Sequence, residues 1–327
     1  MFSRNHRTPV AVLAAVALLS ACGAAQPPSG SIKEPDGGQP HSTPTVSTAP
    51  NPGGVPAPNG RRYPLVPNQA TALGQQLQQV ESALETMAPA NPEFPALAHR
   101  QQVLYRRWSH HSDWDAAVLQ QLSPKQRPVA ERQVQARREF LAMHRNRPAP
   151  AQLPAWRIVT PVPAEELLNH YKEAQLQTGI DWATLAAINL VETGMGRLQG
   201  LSVAGARGPM QFLPTTWAEP GIGAGSIDDP ADAIAAAGRY LVRRGGPENM
   251  PQAIWGYNNS WNYVRAVQTY ADLMREDPRR LNAFHQWQIH YASPQGDLWL
   301  PEGYERQRPV PVSTHLEQAP WSAPPAR

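Results

Sequence analysis

From Asn68 to about Arg145 the apolar residues recur at helical spacing. Leu73, Leu77, Val80, Leu84 and Met87 fall at i, i+4, i+7, i+11 and i+14, a narrow stripe with Gln and Glu elsewhere. The pattern predicts a second helix around Leu97 to Trp108 and a third from about Pro128 to Met143, with Val134 and Leu141 inward. Breaks at Pro89 to Pro95 and at Ser123-Pro124 punctuate them. This region, 68–150, reads as a small helical accessory unit whose stripes serve packing. It carries no recognisable chemistry.

Beyond the proline-rich connector Pro148 to Pro163, with an extended Trp156 to Val159, the spacing turns helical again. Pro163 opens a helix with Glu165 and Glu166 in its first turn and Leu167, Tyr171 and Ala174 on one face. Asp181 is expected to cap the next, Trp182 to Thr193. Asp229-Pro230 starts another, with Asp232 in its first turn and Arg243-Arg244-Gly245 at its end, the charge order a helix dipole favours. Further helices hold Ala253 to Asn258 and Trp261 to Met274. Trp287 to Tyr291 reads as a short extended segment under a closure from Trp299 to Tyr304.

The chain ends change the picture. Arg4, His6 and Arg7 precede an apolar run, Val10 to Leu19, too short to span a bilayer as a stable helix, so residues 1–21 read as a secretion signal. Leu19-Ser20-Ala21-Cys22 resembles a lipobox, and Cys22 is the only cysteine of the chain. The expectation is acyl anchoring of Cys22 to a membrane without a spanning helix, and no internal disulfide in an extracytoplasmic protein. Gly23 to Pro67 holds eleven prolines among Gly, Ser, Thr and Ala. Too apolar-poor to offset its ordering entropy, segment 22–67 is expected to be a disordered tether. Residues 307–327 have similar composition and read as a proline-rich tail. Net charge is +3, without a Lys/Arg cluster interleaved with aromatics, so nucleic acid is not an expected partner.

The candidate chemistry lies in three pieces. Leu185 and Ile188 share a stripe that Glu192 continues at i+4 from Ile188, which aims its carboxylate inward at a helix C-terminus. Burial and the helix dipole both raise a carboxyl pKa there. A carboxyl kept protonated near neutral pH can donate to a glycosidic oxygen. From the helix alone, a surface Glu at a frayed end is the favoured reading. The run Ser202 to Trp217 follows, with Gly205 and Gly208 letting backbone approach a bulky ligand and Gln211 offering amide donors and an acceptor. An ordinary glycine-rich connection fits it too. Tyr257 and Asn258 end an apolar helical turn; the phenol can hydrogen-bond the carboxyl of Glu192 and the amide can hold a sugar. Among aromatic residues, Trp217 and Tyr263 are the ones assigned toward a cleft, the other tryptophans to the core.

In this order, Glu192-Thr193, Ser202-Val-Ala-Gly-Ala-Arg-Gly-Pro-Met-Gln-Phe-Leu-Pro-Thr-Thr-Trp217, Asp229-Pro230 and Tyr257-Asn258 resemble the lysozyme-like lytic transglycosylase (SLT) family, over roughly Trp156 to Met274. Gly-Pro-Met-Gln-Phe with the terminal Trp217 looks most like the membrane-bound lytic transglycosylase B type. Tyr-Asn-Asn-Ser stands where Tyr-Asn-Ala-Gly is common, and Gly-Met-Gly follows Glu192-Thr193 where Gly-Phe is frequent. The resemblance implies a mainly α, goose-type/SLT lysozyme-like catalytic domain over 151–306, with the helical unit and linker before it. It implies Glu192 as catalytic acid, then base, on peptidoglycan. Ser202, Met210, Gln211, Tyr257 and Asn258 would bind substrate. The bond cut would be MurNAc–GlcNAc, closing a 1,6-anhydroMurNAc ring, because no family motif places a second carboxylate and Asp228 and Asp229 belong to a helix start. No cofactor and no metal are expected. A hydrolytic muramidase on the same fold and a non-catalytic peptidoglycan-binding lipoprotein are the alternatives. The accessory helices are the expected surface for other wall-remodelling proteins.

Overall fold

The computed structural model describes residues 54–324. The secretion signal, Cys22 and most of the tether lie outside the described residues. Where the tether was expected to continue, β1 (Val55–Pro56) and β2 (Arg62–Tyr63) pair as a hairpin. Tyr63 is buried, its ring 5.9 Å from that of Trp299. Ala57 and Tyr63 seat this short end against Val103 and Trp299 of the body.

The accessory helices follow as α1 (Ala70–Thr86), α2 (Phe94–Ser109), a short α3 (Asp115–Gln121) and α4 (Arg127–His144). The sequence spacing missed α3, whose seven residues bury only Val118 and so show no period. Leu73, Leu77 and Val80 of α1 close a core with Leu104, Trp108 and Val118. Helix α4 serves two cores: Ala130 and Val134 face the accessory helices, whereas Ala136 and Phe140 belong to the main one. The expected unit is therefore joined to the catalytic region along a packed helix.

Two short strands, β3 (Gln152–Leu153) and β4 (Arg157–Ile158), lead to α5 (Ala164–Thr178) and α6 (Trp182–Thr193). Helix α6 is buried from Ala183 to Thr193 and packs against α5, and later elements cover its other sides. A helix apolar all round belongs in a core. Asp181 precedes it but does not cap it with its side chain, which pairs with Arg275 at 2.6 Å. Gln175 Oε1 takes the Trp182 N–H instead, at 2.7 Å.

After β5 (Leu198–Gln199), which pairs with β4, come α7 (Pro214–Trp217), α8 (Pro230–Arg243), α9 (Met250–Asn258), α10 (Trp261–Glu276) and α11 (Arg280–His285). Asp229 caps α8, accepting the Asp232 N–H at 3.0 Å. Helices α8, α10 and α11 surround α6. The expected extended segment is β6 (Ile289–Ser293), in a hairpin with β7 (Gly296–Leu300). Residues 307–324, expected as a tail, instead hold β8 (Val310–Pro311), paired with β3, and α12 (Val312–Gln318). Val312 and Ser322 are buried there, so proline content alone overstated the disorder. The architecture is mainly helical, and among the described residues no helix is long and apolar enough to cross a membrane.

Candidate active site

Helix α6 ends two residues after Val191, and its end is built to stop abruptly. Gly194 takes a left-handed conformation (φ 62°), and the N–H groups of Gly194 and Met195 return to the carbonyls of Leu190 and Asn189, each at 3.0 Å. Met195 and Gly196 also have positive φ, so three left-handed residues turn the chain away at once. The carboxyl of Glu192 is left at the edge of the core, 1 % exposed.

Its environment is one-sided. Tyr263, from the first turn of α10, donates its hydroxyl to Oε1 at 2.6 Å, while Oε2 is buried with no hydrogen-bond partner. Burial pushes the carboxyl up to about 8, and the Tyr263 hydrogen bond pulls the other way without reversing it. Neither cause is a second carboxylate. Burial and the nearby carboxylate push the Tyr263 phenol well above its ordinary value, so it remains a donor. The protonated acid thus has one oxygen oriented and the other unpaired.

This corrects one expectation. Tyr257, not Tyr263, was expected on the carboxyl, but Tyr257 donates to the Met210 carbonyl at 2.8 Å. Both tyrosines arrive from helices flanking the Asn259–Ser260 turn. Asn259 is left-handed (φ 51°) as the C-cap of α9, and Ser260 caps α10 through its hydroxyl. The Asn-Ser departure from the common motif is therefore helix-end chemistry. No spacing rule could say which of two phenols, six residues apart, reaches the acid.

Thr193, quoted in the sequence only as part of a motif, and Asn189, not singled out there, fasten the loop. Thr193 Oγ1 and Asn189 Nδ2 both donate to the Pro209 carbonyl, at 2.6 and 2.8 Å, and Tyr171 holds Asn189 Oδ1 at 2.6 Å. A threonine directly after the acid is the signal that could have found this latch. Glycine has a different job here from the one expected. A Cβ on Gly208 would lie 1.9 Å from the Ile227 carbonyl oxygen, so this glycine admits backbone, not ligand.

The remaining candidates divide. Ser202 Oγ accepts the backbone N–H groups of Ala204 and Ala206 at 3.2 and 3.0 Å and shapes its own loop. Met210 is fully buried and contributes its carbonyl to Tyr257. Gln211 has a left-handed backbone (φ 50°) and donates from Nε2 to the Gly208 carbonyl at 3.0 Å. Asn258 keeps Nδ2 buried without a partner, a donor waiting for an acceptor. Trp217 packs edge-on to Phe212 at 5.7 Å, a supporting contact.

A buried acid raised toward neutrality with a phenol on one oxygen is suited to proton transfer to a polar, oxygen-rich ligand. Residues 169–275, which contain all of these groups, match the family described as the transglycosylase SLT domain. The match supports the resemblance of this region to the lysozyme-like lytic transglycosylase family. No curated protein and no solved structure matched the chain. The SLT domain match supports a peptidoglycan-acting enzyme of the lytic transglycosylase type.

Proposed function

We propose that Glu192 cleaves the bond between MurNAc and GlcNAc by acting first as acid and then as base, leaving a 1,6-anhydroMurNAc end. The single observation that carries this reading is the carboxyl itself: buried, raised to about 8, and partnered on one oxygen only. At neutral pH such a group holds its proton for the departing oxygen. As the C1–O4 bond breaks, Oε2 gives that proton to O4. The C6 hydroxyl then attacks C1 and returns its own proton to Glu192, so the residue ends as it began. Hydrolysis by two carboxyl groups needs a second acid roughly 5–9.5 Å away, and none contributes to the shift of Glu192. The unpartnered Asn258 Nδ2 supports a role for this amide toward an acetamido or hydroxyl oxygen of the glycan. Tyr263 keeps the working carboxyl in one orientation. The run Gly208 to Phe212 supports relationship to the B type, and the Leu19 to Cys22 motif supports a lipid-anchored place in the bacterial envelope.

Digestion of purified peptidoglycan followed by mass spectrometry tests this. The expected product lacks the water that hydrolysis adds, and cleavage falls as pH rises through about 8. Glu192→Gln should lower the rate by about a thousand-fold with the fold retained. Products heavier by one water would make the enzyme a muramidase, and no cleavage by the native protein would leave only a glycan-binding role.

A further inference from the structure

A cavity of about 570 Å³ lies beside the site, and Glu192 is not among its walls. Its walls include Met195 and Gly196, which directly follow the acid helix, and Arg207 to Pro209, which directly precede Met210-Gln211. Pro209 separates the two spaces: its carbonyl is latched to Thr193 and Asn189, while the residue itself lines the cavity. The cavity and the acid are thus neighbours across a wall a few residues thick.

The lining has two characters. Val162, Leu167 and Leu198 make an apolar floor, and Arg157, Arg207 and Asp228 stand on the rim. Arg157 is exposed and shares Gln199 Oε1 through Nε at 3.0 Å. Arg207 pairs with Asp228, both about half exposed. Exposed pairs of this kind contribute little stability, so each partner can exchange the other for a ligand group of matching charge. The rim therefore offers two guanidiniums for carboxylates and one carboxylate for an amine.

A bare glycan carries only the lactyl carboxylate of each MurNAc, offers no amine to Asp228, and its hydroxyl-covered faces do not suit the floor. The short peptide that branches from the MurNAc lactyl group carries small apolar side chains, free carboxylates and the amine of a diamino acid. It also hangs from the very sugar whose C1 reacts, so it must lie close to Glu192. We propose that this cavity binds the peptide stem of the substrate, a specificity that rests on the peptidoglycan-cleaving function proposed above. Arg157 and Arg207 hold its carboxylates and Asp228 its amine.

Kinetics on two substrates test it: glycan strands bearing their peptides, and the same strands stripped by an amidase. The native protein should show a KM roughly ten-fold lower on the peptide-bearing strands. In Arg157→Ala/Arg207→Ala that advantage should shrink to two-fold or less, and Asp228→Asn should lose about a third of it in logarithmic terms, for stems with a free amine only. Calorimetric titration of the free stem peptide into the intact protein gives a second reading that needs no turnover. Equal KM on both strands, an unchanged advantage in the double variant, or no heat with free peptide overturns the stem site. If the double variant loses as much affinity for stripped strands as for peptide-bearing ones, the cavity holds sugar and the proposal falls. Failure of the native protein to cleave either strand would instead sink the catalytic reading, while the peptide titration would still decide the cavity.

Discussion

Glu192, fully buried, and Asp297, largely so, are driven in opposite directions by their surroundings. Glu192 sits among apolar residues of α6 with a phenol as its one partner, and burial pushes it up to about 8. Asp297, on β7, suffers burial too, but Arg106 and Arg137, with His110 beyond, outweigh it and hold the carboxyl below its usual range. Arg106 of α2 forms an ion pair with Asp297, and Arg137 of α4 lies 3.4 Å away. Desolvation is common to both; the charge of the neighbours decides. One acid is kept neutral for chemistry, and the other is kept ionised to bolt the accessory helices to the β6–β7 hairpin. The contrast extends to pH. Folding favours protonated Glu192, so its contribution is full below its ordinary 4.5 and is lost as pH rises through about 8. Folding favours ionised Asp297, whose contribution is present above its ordinary 3.8 and is lost as pH falls through its depressed folded value.

The comparison breaks most visibly at Asp297. Asp297→Asn keeps the shape of the side chain but removes the charge that two buried guanidiniums face. Losing one member of such a buried group costs about 3–5 kcal/mol, and chemical denaturation at pH 7 should report a loss of that order. The deficit should narrow in acid, where the native protein loses the same charge. A variant as stable as the native protein at pH 7 would show that Asp297 is no bolt.

Next in size is the partner of the catalytic acid. Tyr263→Phe removes the donor to Oε1 and leaves the ring in place. The rate should fall about ten- to thirty-fold, as expected when an oriented acid loses its only hydrogen bond. The sign of the pH effect is distinctive. The phenol favours the ionised carboxyl, so without it Glu192 should titrate higher and the alkaline limb of the rate profile should move up in pH. Tyr257→Phe should leave that limb in place, because Tyr257 serves the Met210 carbonyl. If Tyr257→Phe moved the limb and Tyr263→Phe did not, the roles of the two phenols would be exchanged.

How far the sequence carried this site follows from the range of each interaction. Helix periodicity, the Asp229 cap and the burial of Glu192 are local, and the chain displays them. The order of motifs named the family-like segment because those residues stay together along the chain. The choice of Tyr263 over Tyr257 depends on how α9 and α10 cross α6, which no spacing encodes. The same holds for the latch from Thr193 and Asn189 to Pro209, a contact across sixteen and twenty residues. Proline counting failed at 307–324, where β8 pairs with a strand over a hundred and fifty residues earlier. Asp297 drew no notice, since its meaning comes from arginines on two distant helices.

The smallest effect tests whether the two regions are independent. Glu139, on α4, accepts from Asn262 Nδ2 at 2.7 Å and from Arg265 at 2.8 and 2.9 Å, clamping the first turn of α10 from the accessory side. At the very next position of α4, the Phe140 ring meets Tyr263 edge-on, the ring centroids 6.4 Å apart. Burial pushes Glu139 up, but Arg265 and Asn262 hold it below its ordinary range. Arg265 is more than half exposed, so the pair contributes less than about 1 kcal/mol. Glu139→Gln keeps an acceptor for Asn262 and drops only the charge. A fall in Tm of a few degrees at most is expected, with kcat within two-fold of native and the alkaline limb unmoved, because Phe140 and the apolar face of α4 still fix α10. If this variant instead matched Tyr263→Phe in rate, the orientation of the acid would depend on a surface ion pair of the accessory helix. The two regions would then form a single catalytic unit, and the division drawn between bolt and acid would not stand.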